Sequence, residues 1–425
     1  MSRFIPFQIE ALIKKSLALL SDDDGDEETL KSIQVLENIA LRLIITRRGH
    51  RQDETSYVQP YYHFNNNLIR FISILNFVRF YLIMIYKDDH LHVLLAHPFL
   101  NKSSADMMLR FVIGAGITLF VLREYVLYLE ETGAYELLST LRDIKVSGFD
   151  KNMLRLTTKQ CKLFRSTFHH LITMWIRLIY GVVILTPFLL IGLRIQNEAI
   201  VNSGPAMYIS SVCWMFLEGY CFIFIFGGLL DLGAHIIILV PLYLCQLKSL
   251  IELLKRFKIK QFIDDSIIKG MNTNVIRYMN YFDDLSVKIR YLFFFLFVLV
   301  SFGADTAIFL GMSIKSDSTF ISNLFGLCGL ITLFIVGSVA YAAGAYLDQL
   351  YVIHGLYVSI MAKAKVKLDQ KLKTLEILDR ILGPYCGAKI GDAFTAERLL
   401  AVYYVLENAS TILLLICNLQ RASSQ

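Results

Sequence analysis

Seven stretches of apolar residues place the strongest constraint on what this chain can fold into. A helix needs about 20 residues to cross the hydrocarbon core of a bilayer, which is about 30 Å thick. The apolar stretches, called spans one to seven below, lie at 68–86, 108–129, 171–193, 206–230, 291–312, 322–346 and 399–419. The sequence therefore predicts an all-α membrane protein with seven transmembrane helices.

Composition supports the same interpretation. Hydrophobic residues make up 55% of the chain and charged residues 18%, whereas soluble proteins average about 45–50% and about 25%. The net charge of +6 does not indicate a nucleic-acid partner, because most of the basic residues lie between the spans. We expect membrane lipid around the spans. No short apolar stretch with a cleavage site precedes span one, so we expect no signal peptide.

Span four allows two interpretations. Apolar sequence continues beyond it to Leu247, and Gly227 and Pro241 lie inside the longer stretch. One kinked helix that emerges from the membrane would fit this pattern, and so would two short spans. We favour the single helix, because two spans would place Asp231 and His235 inside the second one, where ionisable side chains are costly.

The distribution of basic residues predicts the orientation. If residues 1–67 are cytoplasmic, the cytoplasmic segments contain 32 of the 42 Lys and Arg residues and the outer segments contain 5. Positive charge favours the cytoplasmic side of a membrane. We therefore expect the N-terminus inside the cell and the C-terminus outside. Asn101 begins a glycosylation triplet in the first outer loop, and no cysteine lies in an outer segment, which agrees with this orientation.

This orientation divides the chain into six regions. They are a cytoplasmic N-terminal region at 1–67, spans one to four at 68–247, a cytoplasmic helical loop at 248–290, spans five and six at 291–346, cytoplasmic helices at 347–398, and the last span with a short outer tail at 399–425. Amphipathic patterns at 30–45, 263–285 and 363–382 predict helices that extend the spans into a cytoplasmic bundle. We interpret the acidic run Asp22–Glu28 as a solvated loop.

The last span and the residues before it carry a recognisable pattern. The lead-in contains Gly391, Phe394 and Arg398-Leu399-Leu400. About ten residues later, Thr411 and Ile412 precede five apolar residues and then Asn418 and Leu419.

This pattern resembles the C-terminal signature of insect gustatory receptors and their odorant-receptor relatives. That signature is Thr-Tyr, five apolar residues and Gln-Phe, after a Gly…Phe…Arg-Leu-Leu lead-in. The spacing and Thr411 are kept, whereas Ile412, Asn418 and Leu419 replace Tyr, Gln and Phe. The chain is therefore similar to a divergent member. The motif covers about the last thirty residues, and the expected topology covers the whole chain.

The resemblance implies a ligand-gated, non-selective cation channel at the plasma membrane. In that family four subunits, identical or combined with a related subunit, surround one pore that the last helix lines. Cytoplasmic helices anchor the tetramer, and a small organic ligand opens the pore. The ligand site of the relatives lies within each subunit, in the outer half of the helix bundle.

Three residues of span seven are candidates for the pore and its gate. Leu415, Asn418 and Leu419 are spaced i, i+3 and i+4 and so share one helix face. In four copies they would form apolar rings that close a pore by dewetting and an amide ring that contacts passing cations. Glu407 would add a carboxylate ring that favours cations. Alternatively, the leucines face lipid or a neighbour and Asn418 caps the helix.

A ligand pocket in the outer half would combine aromatic side chains with a few polar groups. The candidates under the predicted orientation are Phe188, Tyr208, Trp214, Glu218, Phe309 and Phe325. Aromatic residues also anchor helices at membrane interfaces, so packing is the alternative for each aromatic candidate. Arg79, Arg177 and Asp305 also lie in spans, where an ionisable residue is expected to be paired, to snorkel or to serve a function.

Other functions stay open as alternatives. A G-protein-coupled type of seven-helix receptor would place its N-terminus outside, and a membrane transporter would show internal repeats with broken helices. No span carries a metal-binding histidine pair, and no glycine motif for phosphate is present, so we expect no enzyme, metal or cofactor. We interpret His90, His92 and His97 as residues of an exposed outer loop.

Overall fold

The computed structural model describes residues 24–424, with gaps at 48, 51–60, 101–104, 133–136, 196–203, 260–263, 314–318, 365, 384–385, 393 and 398. The helices are α1 Asp24–Arg42, α2 Tyr62–Ile85, α3 Asp89–Leu94, α4 Ala105–Glu131, α5 Leu137–Ser147, α6 Thr158–Ile195, α7 Pro205–Ile259, α8 Asp265–Phe294, α9 Ser301–Ser313, α10 Thr319–Met361, α11 Leu368–Leu382 and α12 Leu400–Ser424. A π-helical turn at Phe295–Val300 joins α8 to α9. The strands β1 Lys389–Ile390 and β2 Phe394–Thr395 pair antiparallel.

Seven helical segments in the described part of the chain are long and apolar enough to cross a membrane. They are Tyr62–Ile85, Ala105–Glu131, Thr158–Ile195, Pro205–Gly228, Asp265–Gly311, Ser322–Met361 and Leu400–Cys417. These segments coincide with the seven predicted spans. The structure thus confirms an all-α membrane protein with seven candidate membrane-spanning helices.

Span four belongs to a single helix. The helix α7 continues for 55 residues without a break, with Pro241 inside it. Its length is about 80 Å at 1.5 Å per residue, far more than the hydrocarbon core requires. The single-helix interpretation is confirmed, and most of the excess length lies beyond the apolar segment.

The excess lengths of several helices pack together in a region called the extension bundle here. Far from residues 86–104, the ends of four long helices pack together with three shorter ones. The long helices are α6, α7, α8 and α10, and the shorter ones are α1, α5 and α11. Their shared core includes Phe164, Leu254, Ile268, Tyr357 and Ile381, all nearly inaccessible to solvent. One apolar core therefore connects the extension bundle with the spans. Residues 86–104 mark the opposite end, called the short-loop end below.

The acidic run near the N-terminus is not a loop from residue 24 onward. The helix α1 begins at Asp24, and Glu27 pairs with Lys31 one turn later at 2.8 Å. Carboxylates are favourable in the first turn of a helix, and oppositely charged residues four apart stabilise it further. The loop interpretation is therefore wrong for residues 24–28.

A small hairpin leads into the last helix. Its turn contains Gly391 at a φ of +61°, a conformation that glycine adopts without strain. The backbone N–H of Lys389 donates to Ser286 Oγ at 2.7 Å, and that of Gly391 donates to the carbonyl of Arg290 at 2.9 Å. The hairpin is thus seated on α8 and fixes where α12 begins.

The backbones of α9 and α10 approach each other closely at two glycines. A Cβ atom added at Gly311 would lie 2.5 Å from the carbonyl oxygen of Ser322, and one at Gly329 would lie 2.6 Å from that of Ala304. Helices in membranes commonly use small residues where their backbones approach closely. Spans five and six are therefore held together by backbone contact that no larger residue permits.

We predict that Gly311→Ala lowers the free energy of unfolding by about 1–3 kcal/mol, the usual cost of overpacking. Gly303→Ala on the same helix is the matched control, because a Cβ atom there would meet nothing within 4 Å. The control should be neutral or slightly stabilising, since alanine favours helix more than glycine does. Unfolding of the purified full chain in detergent measures both, and equal effects would contradict the packing account.

Candidate functional site

Three charged side chains form a buried cluster near the short-loop end. Arg79 of α2 donates from Nη1 to Glu218 Oε1 at 2.5 Å, and Arg194 of α6 donates from Nη2 to Glu218 Oε2 at 2.7 Å. Glu218 lies on α7, so the cluster joins spans one, three and four. The exposed fraction of the side chain is 1% for Arg79, 8% for Arg194 and 10% for Glu218. Each carboxylate oxygen therefore has its own guanidinium partner.

Backbone and aromatic groups hold Arg79 in place. Its Nε donates to the carbonyl of Leu95 at 2.5 Å, and its Nη2 donates to that of Ala96 at 2.7 Å. These carbonyls follow the short helix α3. The guanidinium also lies over the rings of Trp214 and Phe80, at 4.7 and 4.8 Å from their centroids. Arginine suits such a position, because its planar group combines several hydrogen bonds with stacking on aromatic faces.

The cluster is electrostatically unbalanced. Two arginines and one glutamate leave one positive charge in a site with little solvent contact, and the Nε atom of Arg194 has no hydrogen-bond partner. Backbone carbonyls compensate part of this charge at Arg79. Removing one partner of a buried ion pair leaves an uncompensated charge and usually costs several kcal/mol. The arrangement can therefore hold three spans together, and a polar ligand group that competes for Glu218 would loosen them.

His97 adds a titratable group beside the cluster. It is buried, which corrects the interpretation of His97 as an exposed loop residue, and its Nδ1 accepts a hydrogen bond from the backbone N–H of Phe99 at 3.0 Å. Burial, together with the nearby His92, Arg79 and Arg194, lowers the pKa of His97 to about 4, and Asp106 partly opposes this shift. His97 is therefore neutral at physiological pH, which the hydrogen bond to Nδ1 requires.

The structure brings together only some of the predicted ligand residues. Trp214 and Glu218 meet at Arg79, as described above. Phe325 is half-buried and packs edge-on against Phe111, with ring centroids 5.8 Å apart. Phe309 is buried in α9, whereas Phe188 and Tyr208 point outward and are 68% and 51% exposed. The candidates thus do not line one common pocket within a single chain.

The last helix packs on its own chain with one face only. Tyr404 and Asn408 are buried against α9 and α10, and Ser301 Oγ donates to the Tyr404 hydroxyl at 2.9 Å. Leu415 is half-buried and lies on the same face, eleven residues after Tyr404. Glu407 is exposed. The remaining surface of the helix carries exposed apolar side chains: Val402, Tyr403, Val405, Leu406, Leu413 and Leu414.

Three predicted site residues fall outside what the structure describes. Asn101 lies in the gap at 101–104, and the side chains of Asn418 and Leu419 are outside the described part although their backbone belongs to α12. The glycosylation site and the constriction at Leu415, Asn418 and Leu419 stay predictions.

Sequence reasoning missed the partners of the charged residues. The sequence indicates that Arg79 needs a partner, but Arg194 falls just beyond span three, which ends at residue 193, and nothing local distinguishes Arg123. Arg123 is buried and donates to the Ile44 carbonyl at 3.1 Å and to Asn66 Oδ1 at 2.9 Å. The available signal was the presence of arginine inside apolar stretches, since such residues need a partner. The partner itself depends on which helices are neighbours.

We predict that Glu218→Gln lowers the free energy of unfolding by about 3–5 kcal/mol, because two buried guanidinium groups lose their counter-charge. The matched control is Glu131→Gln, whose side chain is 65% exposed and pairs with Arg47; such exposed pairs contribute about 0–1 kcal/mol. Chemical unfolding of the purified full chain in detergent compares the two. Equal losses of unfolding free energy in both variants would show that the buried cluster stabilises the fold no more than an exposed ion pair does.

We also predict that the protein loses stability as the pH falls from about 6.5 towards 4. The unfolded chain binds a proton at His97 near pH 6.5, whereas the folded chain does so only near 4. Acidification therefore favours unfolding across this window, by about 1.5 kcal/mol between pH 6.5 and 5, because the slope approaches 1.36 kcal/mol per pH unit only below pH 6.5. The thermal midpoint as a function of pH should become flatter in His97→Asn. The exposed neighbour variant His90→Asn should keep the wild-type slope, and a slope unchanged in both variants would contradict the prediction.

The comparisons with known proteins leave the family undecided. The sequence matches no model of a known protein family. It also has no significant match among curated proteins. The resemblance to insect chemoreceptors therefore depends on the C-terminal motif and the expected topology alone.

Proposed function

We propose that this protein is a chemosensory, ligand-gated, non-selective cation channel in which the last helix of four copies lines a central pore. The observation that carries the proposal is the position of Glu407. It lies within a segment that is long and apolar enough to cross a membrane, and its side chain is exposed on the surface of the single chain. A carboxylate at that position cannot face lipid without a large cost. Facing water inside an assembly removes this cost.

The rest of α12 is compatible with such an assembly. Only the face with Tyr404 and Asn408 is used for packing within the chain, and exposed Leu and Val side chains cover much of the remaining surface. Apolar rings around an axis would close a pore by dewetting, and a ring of carboxylates would favour cations over anions. The constriction is proposed at Leu415, Asn418 and Leu419, beyond Glu407; Leu415 is only half-buried by its own chain, which leaves part of its side chain free to form a ring.

The extension bundle offers a surface through which copies would associate. Leu368, Leu372, Leu375 and Leu382 of α11 are 58–72% exposed and follow each other at helical spacing on a helix outside the spans. Contiguous exposed leucines on a soluble surface usually mark a protein interface. We propose that this surface is cytoplasmic, in line with the basic residues of the same segments, and that it anchors four copies at the plasma membrane.

The ligand site is proposed at the cluster of Arg79, Trp214 and Glu218. Ligand sites are mostly apolar with a few well-placed polar groups, and this cluster supplies an aromatic ring beside a carboxylate with two guanidinium partners. A small organic ligand that competes for Glu218 or Trp214 would alter how spans one, three and four are held together. Because α6 and α7 continue into the extension bundle, such a change would reach the region where copies associate.

The test of the pore does not need the ligand. In the channel, Leu415→Ala removes an apolar ring, so cells that express the full-length variant should show a sodium and potassium leak that wild-type cells lack. In that background Glu407→Gln should move the cation-to-anion permeability ratio towards one. The control is Glu397→Gln, an exposed carboxylate just before α12, which should leave the ratio unchanged.

The same experiment defines what would contradict the proposal. Absence of current in every variant, together with single copies in electron micrographs of the purified protein, would exclude the channel. Leu414 is an exposed neighbour of Leu415. If Leu414→Ala caused a leak and Leu415→Ala did not, the constriction would instead lie on the face of α12 that is exposed in the single chain.

A further inference from the structure

A second buried carboxylate lies in span five without a counter-charge. Asp305 of α9 is 3% exposed, and its Oδ1 atom has no hydrogen-bond partner. Among the described residues, no Lys or Arg side chain pairs with it. Glu218, by contrast, has two guanidinium partners. A buried ionised carboxylate without a partner is among the most costly groups in a folded protein, so Asp305 requires an explanation.

Asp305 lies beside Glu407 of the last helix. The hydrogen bond between Ser301 and Tyr404 joins α9 and α12 at one level. Spans five and seven run in the same direction, because alternate spans are parallel. Asp305 lies about 6 Å beyond Ser301 along α9, and Glu407 lies about 4.5 Å beyond Tyr404 along α12. The two carboxylates are therefore at nearly the same height. Because α9 and α12 pack against each other, the two carboxylates lie at one level of the same helix pair.

The local backbone is also unusual at this point. The π-helical turn at Phe295–Val300 ends immediately before Ser301, and such turns recur at functional sites in helices. Ser301, the first residue after the turn, contacts Tyr404 of the last helix, and Asp305 follows one turn later on α9.

We propose that Asp305 and Glu407 bind an alkali-metal cation between spans five and seven. A cation with oxygen ligands compensates both carboxylates and explains why a buried one lacks a protein partner. Two carboxylates supply fewer oxygen ligands than the roughly six to eight that calcium takes, which favours a weakly held monovalent ion over a divalent one. The Ser301–Tyr404 hydrogen bond positions the two helices for this site.

This site deepens the proposed function and rests on it in one respect, since the cation is taken to arrive from the pore. Glu407 is the exposed ligand and Asp305 the buried one, so the pair forms a path from the aqueous axis into the subunit. Binding itself is independent of conduction. It can therefore be tested on purified protein in which no current is measured.

The experiment measures binding of radioactive sodium ion to the purified full-length protein in detergent by scintillation proximity. Wild-type protein should bind sodium saturably, and unlabelled sodium and potassium should displace it, whereas N-methylglucamine should not. Asp305→Asn should abolish the saturable signal. Glu407→Gln should reduce the affinity at least several-fold, because the second carboxylate is lost.

Two features keep the result interpretable. Asp284→Asn is the matched control, because Asp284 lies on α8, is 58% exposed and pairs with Lys288; it should bind sodium like the wild type. Asn is nearly isosteric with Asp and removes an unpaired buried charge, so Asp305→Asn should fold, and its thermal midpoint verifies this. Since Glu407 is exposed, Glu407→Gln provides a second variant with little risk to folding.

Several outcomes would overturn the inference. Absence of saturable sodium binding in the wild type would mean that Asp305 is simply protonated, and unchanged binding in both variants would place the ion elsewhere. Stronger displacement by calcium than by potassium would contradict a monovalent site. Saturable binding that requires Asp305 in a protein that carries no current would leave the site standing and reject the channel.

Discussion

Charge inside an apolar environment is the constraint on which the rest of this structure depends. Glu218 is compensated by two arginines, and Arg123 is compensated by a carbonyl, an amide and a glutamate. Each of these groups would be prohibitively costly alone. The contacts that cross between helices, those of Arg79 and Arg194 with Glu218 and that of Arg123 with Asn66, therefore favour particular spans as neighbours. The uncompensated carboxylates of Asp305 and Glu407 depart from this rule; Glu407 lies on the helix proposed to line the pore, and Asp305 lies on the helix that packs against it.

Long continuous helices connect the two ends of the molecule. The helix α6 carries Arg194 near one end and Phe164, a core residue of the extension bundle, near the other. The helix α7 likewise carries Glu218 in the spans and Leu254 in the extension bundle. A rearrangement of the charged cluster would therefore move the whole helices α6 and α7, which are stiff, and not only the loops at their ends. The physical basis for coupling a ligand to subunit contacts is therefore present in one chain, although coupling itself requires two states of the assembly.

The hairpin at residues 389–395 connects the extension bundle to the last helix. It is hydrogen-bonded to Ser286 and Arg290 of α8, and α8 continues through the π-helical turn into α9, which contacts α12 through Ser301 and Tyr404. The start of α12 and its buried face are thus both fixed by the same continuous segment. In the proposed channel, movement of α8 would be transmitted to the last helix at two points.

The sequence by itself determined that this is a membrane protein and which seven segments are long and apolar enough to cross the bilayer, because about twenty consecutive apolar residues must be helical in hydrocarbon to satisfy their backbone groups. It also indicated α11, through its amphipathic period and the glycine that follows Leu382. Only the tertiary structure decided that Arg79 and Arg194 share Glu218, that His97 is buried and that Asp305 lies beside Glu407. Residues 139 positions apart, such as Arg79 and Glu218, meet only through the packing of whole helices, and a local pattern carries no information about which helices are neighbours.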